Sequence, residues 1–307
     1  MCGRTVLSID REQVRCACSY QDKKLNTFIK PEYLHEHNNG KEYLPSFNIA
    51  PTDVTPVLVS ANKFKNAVQT SSRVLKPMMW GVIPPWHKGD YKNHNLSTNN
   101  CRIENIRSSK LYNPILINGG RCIVVVEGFY EWQTTVKSKN KQPYYIYMKQ
   151  DSSIKVTDPK TWSNNFNEKE GWNGMKLMFM AGLYHAWQDN NVIIYSYSVI
   201  TMESNETLSW LHHRMPAILE AEEQIDAWLD IDNVNADMAL EYLKPIKILE
   251  WHPVSKMVNN SKNKSADCYK VITNKVNTSQ KSLTAWFTTS KRKLSEDGGQ
   301  FSKTPKL

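Results

Sequence analysis

The chain has 307 residues, 40% of them hydrophobic, with 10 Trp, 14 Tyr and 8 Phe. That is enough apolar volume for a substantial core, and it excludes a wholly disordered chain. The formal net charge is +9; seven basic residues against Glu296 and Asp297 put +5 of it from Thr273 onward, and the +4 left elsewhere suits a localised anion-binding groove, not a blanket of positive charge.

Arg4, Asp10, Arg11, Glu12 and Arg15 interrupt any apolar leader, and no stretch approaches the roughly 20 apolar residues of a membrane-spanning helix. A soluble, intracellular protein with no membrane partner is expected. In chain order, residues 11–20 are expected to form a helix. Residues 122–126 are a buried apolar run, Pro143–Met148 is aromatic-rich, 176–184 is apolar, and 192–200 mixes Ile, Val and Tyr with Ser; all four read as strands. Between them, the polar segments 133–142 and 151–174 read as loops. Residues 206–212 are expected to form a helix capped by Ser204 or Asn205, whose side chain would accept from the first free N–H groups. Residues 220–229 predict another helix, and Leu240 to Leu243 belong to a short one beginning near Asn235.

Strands in the middle with helices around them, and no regular βαβ alternation, predict an α+β fold of mainly antiparallel β-sheets with flanking helices. Apolar periodicity fades after about Asn263. One folded domain over 1–272 and a disordered basic tail over 273–307 are therefore expected, with no internal repeat.

The six cysteines (Cys2, Cys16, Cys18, Cys101, Cys122, Cys268) are too scattered for a disulfide framework. Cys16-x-Cys18 lacks the spacing of a zinc knuckle, and His35-x-His37 reads more readily as a solvated face than as a metal pair. No metal and no cofactor are expected.

Cys2 is the most informative residue. Its small side chain permits removal of Met1, which leaves a free α-amine and a thiol on one residue. An α-amine with a pKa of about 7.7–8.0 is partly unprotonated at neutral pH and attacks an aldehyde to form a Schiff base. The thiol can then add to the imine carbon and close a thiazolidine, a step favoured because both groups share one residue. On that residue alone, an incidental cysteine remains the simpler reading.

Other segments change the balance. Met1-Cys2-Gly3-Arg4 is followed by Phe47-Asn48-Ile49-Ala50-Pro51-Thr52, by Trp80-Gly81-Val82-Ile83-Pro84-Pro85-Trp86 and by Asn100-Cys101-Arg102-Ile103-Glu104. Then come Gly128-Phe129-Tyr130-Glu131-Trp132, His212-His213-Arg214-Met215-Pro216 and Trp251-His252-Pro253-Val254-Ser255. With these motifs the chain resembles the SOS-response-associated peptidase (SRAP) family from Met1 to about Lys264.

The resemblance implies an SRAP-like fold and an abasic-site cross-linking enzyme with lyase-like Schiff-base chemistry. The mature N-terminal cysteine, here Cys2, would bond the ring-opened aldehyde of an abasic site in single-stranded DNA, and Met1 would be removed autoproteolytically. The family's glutamate falls on Glu131, which would shuttle protons if burial raises its pKa; a lone Glu otherwise reads as a structural partner for an arginine. Its histidine falls on His212, which would assist opening of the deoxyribose ring, or else be a core histidine. Asn100 would hold the N-terminus in place, although an isolated Asn is more often a cap or a turn. Thr201 matches a site position more weakly.

The resemblance also implies that Arg4, Arg102 and Arg214 grip phosphates. Pro51 and Trp86 would wedge or stack against bases beside the lesion. The sequence departs from the family at His87, where relatives often carry a second aromatic residue. The tail segment 280–287 resembles the PIP box that docks on the sliding clamp PCNA. Gln280 would hydrogen-bond while Leu283, Trp286 and Phe287 anchor. A monomer acting in the nucleus, at chromosomes and replication forks, is the expectation. Two other readings stay open: a non-catalytic reader of 5-hydroxymethylcytosine in duplex DNA, and a thiol peptidase built on Cys2, His212 and Glu131.

Overall fold

The computed structural model describes residues 3–22, 25–34, 41–64, 71–137 and 139–272. In chain order the principal strands are β1 (Arg4–Leu7), β2 (Ser46–Ile49), β3 (Val54–Ser60), β4 (Arg73–Trp80), β5 (Asn100–Arg102) and β6 (Arg121–Val126). They continue with β7 (Gly128–Trp132), β8 (Pro143–Met148), β9 (Met178–Asp189), β10 (Val192–Glu203), β11 (Arg214–Pro216) and β12 (Leu249–Pro253). The α-helices are α1 (Arg11–Ala17), α2 (Tyr112–Ile117), α3 (Glu222–Leu229) and α4 (Ala236–Glu241).

Strands β3, β4 and β6 are buried at every position; this is why residues 122–126 of β6 read as a continuous apolar run, while β4 buries Arg73 and Lys76 among its apolar residues. β10, β9, β6, β3 and β4 pair in that order. β4 then pairs back onto β10, in parallel, through Ser196↔Met79 and Tyr197↔Trp80. Five strands thus close into a barrel, which removes their free edges. A second sheet has the order β12-β8-β7-β1-β2 and is antiparallel throughout.

The chain passes from barrel to second sheet at Glu127, between β6 and β7. Gly128 begins β7 because a Cβ there would stand 2.4 Å from the Ile146 carbonyl oxygen. One apolar core runs through both sheets, with Val6, Phe129 and Ile146 from the second and Val124, Leu183 and Val199 from the barrel. Burying each such side chain contributes about 1.5–3 kcal/mol.

The α+β class with mainly antiparallel sheets is the observed one. Helix α1 stops at Ala17, short of the expected end, because Tyr20 enters a strand that pairs with Thr27–Ile29. Its start is set by a capping box between Asp10 and Gln13, with the Gln13 N–H at 2.8 Å from the Asp10 carboxylate. Asn235 caps α4, accepting the Asp237 and Met238 N–H groups at 3.0 Å.

The helix expected over 206–212 does not form. Asn205 accepts from Thr207, but the segment closes into turns because Ser204 Oγ donates to the His212 carbonyl at 2.7 Å and the Ser204 N–H to the His213 carbonyl at 3.0 Å. That clasp brings the ends of the segment together, which a straight helix cannot do, and it aims the chain into β11.

Residues Met1–Val271 cluster as one compact unit. Among the described residues no helix is long and apolar enough to cross a membrane. Cys2, His35, His37 and the whole of 273–307, with Gln280, Leu283, Trp286 and Phe287, lie outside the described residues.

Candidate active site

Strand β1 runs antiparallel to β7 in the register Arg4↔Tyr130, Thr5↔Phe129, Val6↔Gly128. The ladder ends at Arg4 opposite Tyr130, the residue before Glu131, so β1 points its N-terminal end toward this carboxylate. Glu131 is 4% exposed. Burial raises its pKa; the positive charge of the amino terminus and the Trp132 N–H, 3.1 Å from Oε1, oppose that shift.

His212 follows the clasped turns and is also buried. Its Nδ1 accepts the Arg214 N–H at 3.0 Å, which puts the proton of the neutral ring on Nε2. Burial, then the amino-terminal charge and His213, push its pKa down to about 4. At neutral pH the ring is therefore an uncharged donor. The segment is fastened to the Glu131 strand, since Thr134, just past β7, donates its N–H to the Leu211 carbonyl at 2.9 Å. The same amino-terminal charge and that of Lys141 act on both Glu131 and His212.

A second group gathers on β5, β10 and β11. Asn100 and Arg102 flank Cys101 in a parallel ladder, Val199↔Asn100 and Thr201↔Arg102. Thr201 is buried; its hydroxyl donates to the Cys101 carbonyl at 3.3 Å, and its own carbonyl accepts from Arg214 Nη2 at 2.7 Å. Arg214 is buried too and forms a bidentate pair with Glu104, whose pKa the guanidinium hydrogen bond lowers. In this structure its guanidinium spans Glu104 and the Thr201 carbonyl and so links β11 to β10. Arg102 is exposed. Arg4 is half-buried, with Nη1 donating to the Gly3 carbonyl at 3.1 Å.

Pro51 lies at a cavity of about 290 Å³ lined by Thr52, Trp80, Tyr91, His94 and Asn99, next to Asn100. Thr52 holds φ at +78°, a strained conformation for a β-branched residue, fixed by its N–H to the Trp80 carbonyl at 2.8 Å. Trp86 is 57% exposed. A larger cavity of about 470 Å³, lined by Arg73, Glu223, Asp226 and Asp230, contains none of these site residues. Among the described residues no three His, Cys, Asp or Glu side chains converge as a metal site would need.

Residues 1–261 match the SOS response associated peptidase (SRAP) family. The chain belongs to the SRAP family. It is 39% identical over 275 residues to the abasic site processing protein HMCES of Xenopus tropicalis, covering 89% of this chain and 78% of that protein. It is 28% identical over 271 residues to the abasic site processing protein YoqW of Bacillus subtilis (strain 168), covering 87% and 98%. A crystal structure of a protein from Bacteroides thetaiotaomicron superposes with a TM-score of 0.61 at 19% identity, covering 88% of this chain and 100% of that one, so the fold is shared.

Several residues of this SRAP domain carry structure that sequence reasoning passes over. Glu127 is 1% exposed and accepts the Ser8 N–H at 2.5 Å, the Ser8 hydroxyl at 2.9 Å and the Ile9 N–H at 3.1 Å. It holds the far end of β1, the strand that leads to the site. Burial pushes its pKa up to about 7 against these hydrogen bonds. The available signal is a lone carboxylate between two apolar strand segments, where a buried partner must exist. Glu104 is the second, and its signal is an acidic residue in one motif that can pair with Arg214 in another. Asn48 is the third: fully buried, it donates to the Val258, Asn260 and Asn263 carbonyls and ties β2 to the segment after β12.

Proposed function

We propose that this SRAP protein processes abasic sites, capturing them in single-stranded DNA as a covalent cross-link through Cys2 after removal of Met1. The observation that carries the proposal is the β1–β7 register, which points the N-terminal end of β1 toward a buried carboxylate, together with a neutral histidine on which the same amino-terminal charge acts. The names of the relatives, abasic site processing proteins in both Xenopus and Bacillus, support the substrate.

The chemistry follows from the groups assembled. The neutral His212 ring, with its proton on Nε2, hydrogen-bonds the ring oxygen as the deoxyribose opens; the anomeric hydroxyl loses its proton, the ring oxygen gains one, and the aldehyde is freed. The Cys2 amine nitrogen attacks that carbonyl carbon to give a carbinolamine. Glu131, its pKa raised by burial, gives a proton to the departing hydroxyl and takes one back from nitrogen, so that water leaves, the imine forms and the acid is restored. The thiol sulfur then adds to the imine carbon and its proton passes to nitrogen, closing the thiazolidine. One water is lost overall and nothing is oxidised or reduced. Asn100 and Thr201 orient the site, Arg4, Arg102 and Arg214 take phosphates, and Pro51 and Trp86 meet the neighbouring bases.

Removal of Met1 is proposed to be autocatalytic, using the same Glu131. The segment 280–287 is proposed to dock on PCNA, which would bring the protein to replication forks in the nucleus. The direct test of the site is a denaturing gel of the full chain mixed with a single strand bearing one abasic site. A denaturation-resistant band is expected from the parent and none from Cys2→Ala; an equal band from both removes Cys2 from the mechanism.

A further inference from the structure

Next to the Glu131–His212 site, one surface joins aromatic rings to a basic loop. Tyr144 stands opposite Glu131 in the β7–β8 ladder, so both side chains leave the same face of the sheet. Trp251 of β12 stands opposite Ile146, two residues along β8, and shares that face. Trp210, from the turns before His212, bridges the two. Its ring centre lies 5.0 Å from that of Tyr144, edge-on, and 5.5 Å from that of Trp251. Its indole N–H is turned to the Thr207 carbonyl at 3.0 Å. The three rings form a continuous ledge in which Tyr144 and Trp210 are half-buried and Trp251 is 37% exposed.

The loop 133–142 borders this ledge. Its charged residues are Lys137, Lys139 and Lys141, all exposed, and it contains no Asp or Glu. It is clipped to the ledge, because the Thr135 hydroxyl donates to the Trp210 carbonyl and the Thr134 N–H to the Leu211 carbonyl. The nearby Glu206 is neutralised by Lys247 at 2.6 Å, and Glu250 alternates with Trp251 along β12 and so leaves the other face.

Aromatic surface beside a row of cations supplies what an extended single strand needs, a platform for bases and counter-charge for phosphates. A duplex keeps its bases stacked inside and offers no free face to the rings. A second copy of this chain would cover the rings but bring no phosphates to the three lysines. We infer that the Tyr144–Trp210–Trp251 ledge and the lysines of the 133–142 loop bind the single-stranded flank of the DNA whose damaged nucleotide sits at Glu131. Bases stack on the rings and phosphates pair with Lys137, Lys139 and Lys141. This rests on the reading of the site as one for single-stranded DNA.

The test is fluorescence anisotropy of an undamaged, end-labelled thymidine oligonucleotide titrated with the full chain. Trp251→Ala is expected to weaken binding about tenfold, and Trp251→Phe, which keeps a ring, to retain most of the affinity. Replacing Lys137, Lys139 and Lys141 together by Gln is expected to weaken binding and to reduce the slope of log affinity against log salt by about 2. The lysine variant changes only an exposed loop, so it decides the case if Trp251→Ala fails to fold.

Parental affinity in either Trp251→Ala or the lysine variant overturns the inference. So does a concentration-dependent dimer that Trp251→Ala breaks without changing DNA affinity, since it assigns the surface to a second copy. The undamaged strand keeps the outcomes separate: failure to cross-link abasic DNA removes the proposed chemistry, while the anisotropy still decides the ledge.

Discussion

The Thr134 N–H donates to the Leu211 carbonyl at 2.9 Å, and this bond clips the strand carrying Glu131 to the turns carrying His212. The two side chains belong to segments far apart in sequence, and their joint position depends on such cross-chain fastening. Thr134→Pro removes the donor. It is expected to cost about 0.5–1.5 kcal/mol in stability and to slow cross-link formation. Denaturant unfolding and a cross-linking time course measure the two effects; an unchanged rate in a destabilised protein would show that the clip does not position the site.

Glu131→Gln keeps the size of the side chain and removes its transferable proton. Cross-link formation is expected to slow by about 10²–10⁴-fold. Stability should be unchanged or higher, because burial disfavours the carboxylate that the substitution removes. Rates measured against pH sharpen the test: in the parent the rate declines above the pKa of Glu131 as the acid loses its proton, and the variant lacks that decline.

The Arg214–Glu104 pair predicts a stability effect with little bearing on surface charge. Glu104→Ala takes both carboxylate acceptors from a buried guanidinium and leaves it the carbonyl and hydroxyl oxygens of Thr201. A loss of about 1–3 kcal/mol is expected, read as a shift in the denaturant midpoint. Arg214→Lys should cost a similar amount, since an ammonium cannot reproduce the bidentate contact.

How much of this is legible in sequence varies by element. The five apolar residues 122–126 announce a buried strand because β6 is covered on both faces. Asn235 announces α4 because an Asn side chain satisfies the first free N–H groups locally. Residues 206–212 mislead, since their local pattern suits a helix and only the tertiary Ser204–His212 bond closes them into turns. The Arg214–Glu104 pair is hidden in the sequence because its two residues lie 110 positions apart. Glu131 and His212 emerge from motif resemblance, whereas their shared exposure to the amino-terminal charge emerges only once β1 is seen against β7.

Glu127 gives stability a pH dependence. Its folded pKa of about 7 stands above the ordinary 4.5, so the folded state binds this proton more tightly than the unfolded chain. Its contribution to stability is full below about pH 4.5 and is lost as pH rises through 7. Glu127→Gln keeps an acceptor oxygen for Ser8 and Ile9 and removes the titration. Relative to the parent it is expected to gain on the order of 3 kcal/mol between pH 4.5 and pH 8, read from denaturant midpoints at several pH values.

Trp86→Ala should leave stability within about 0.5 kcal/mol, because the ring is 57% exposed. Affinity for single-stranded DNA should fall by about 1–3 kcal/mol if the ring meets a base. Thermal unfolding and equilibrium binding separate these effects.

Intact-mass measurement of the protein incubated with an abasic single strand tests the central claim most directly. The account predicts a species whose mass is that of the chain without Met1, plus the oligonucleotide, minus one water, and it predicts that Cys2→Ala yields no such species. An adduct that retains Met1, or one that forms undiminished with Cys2→Ala, would contradict it.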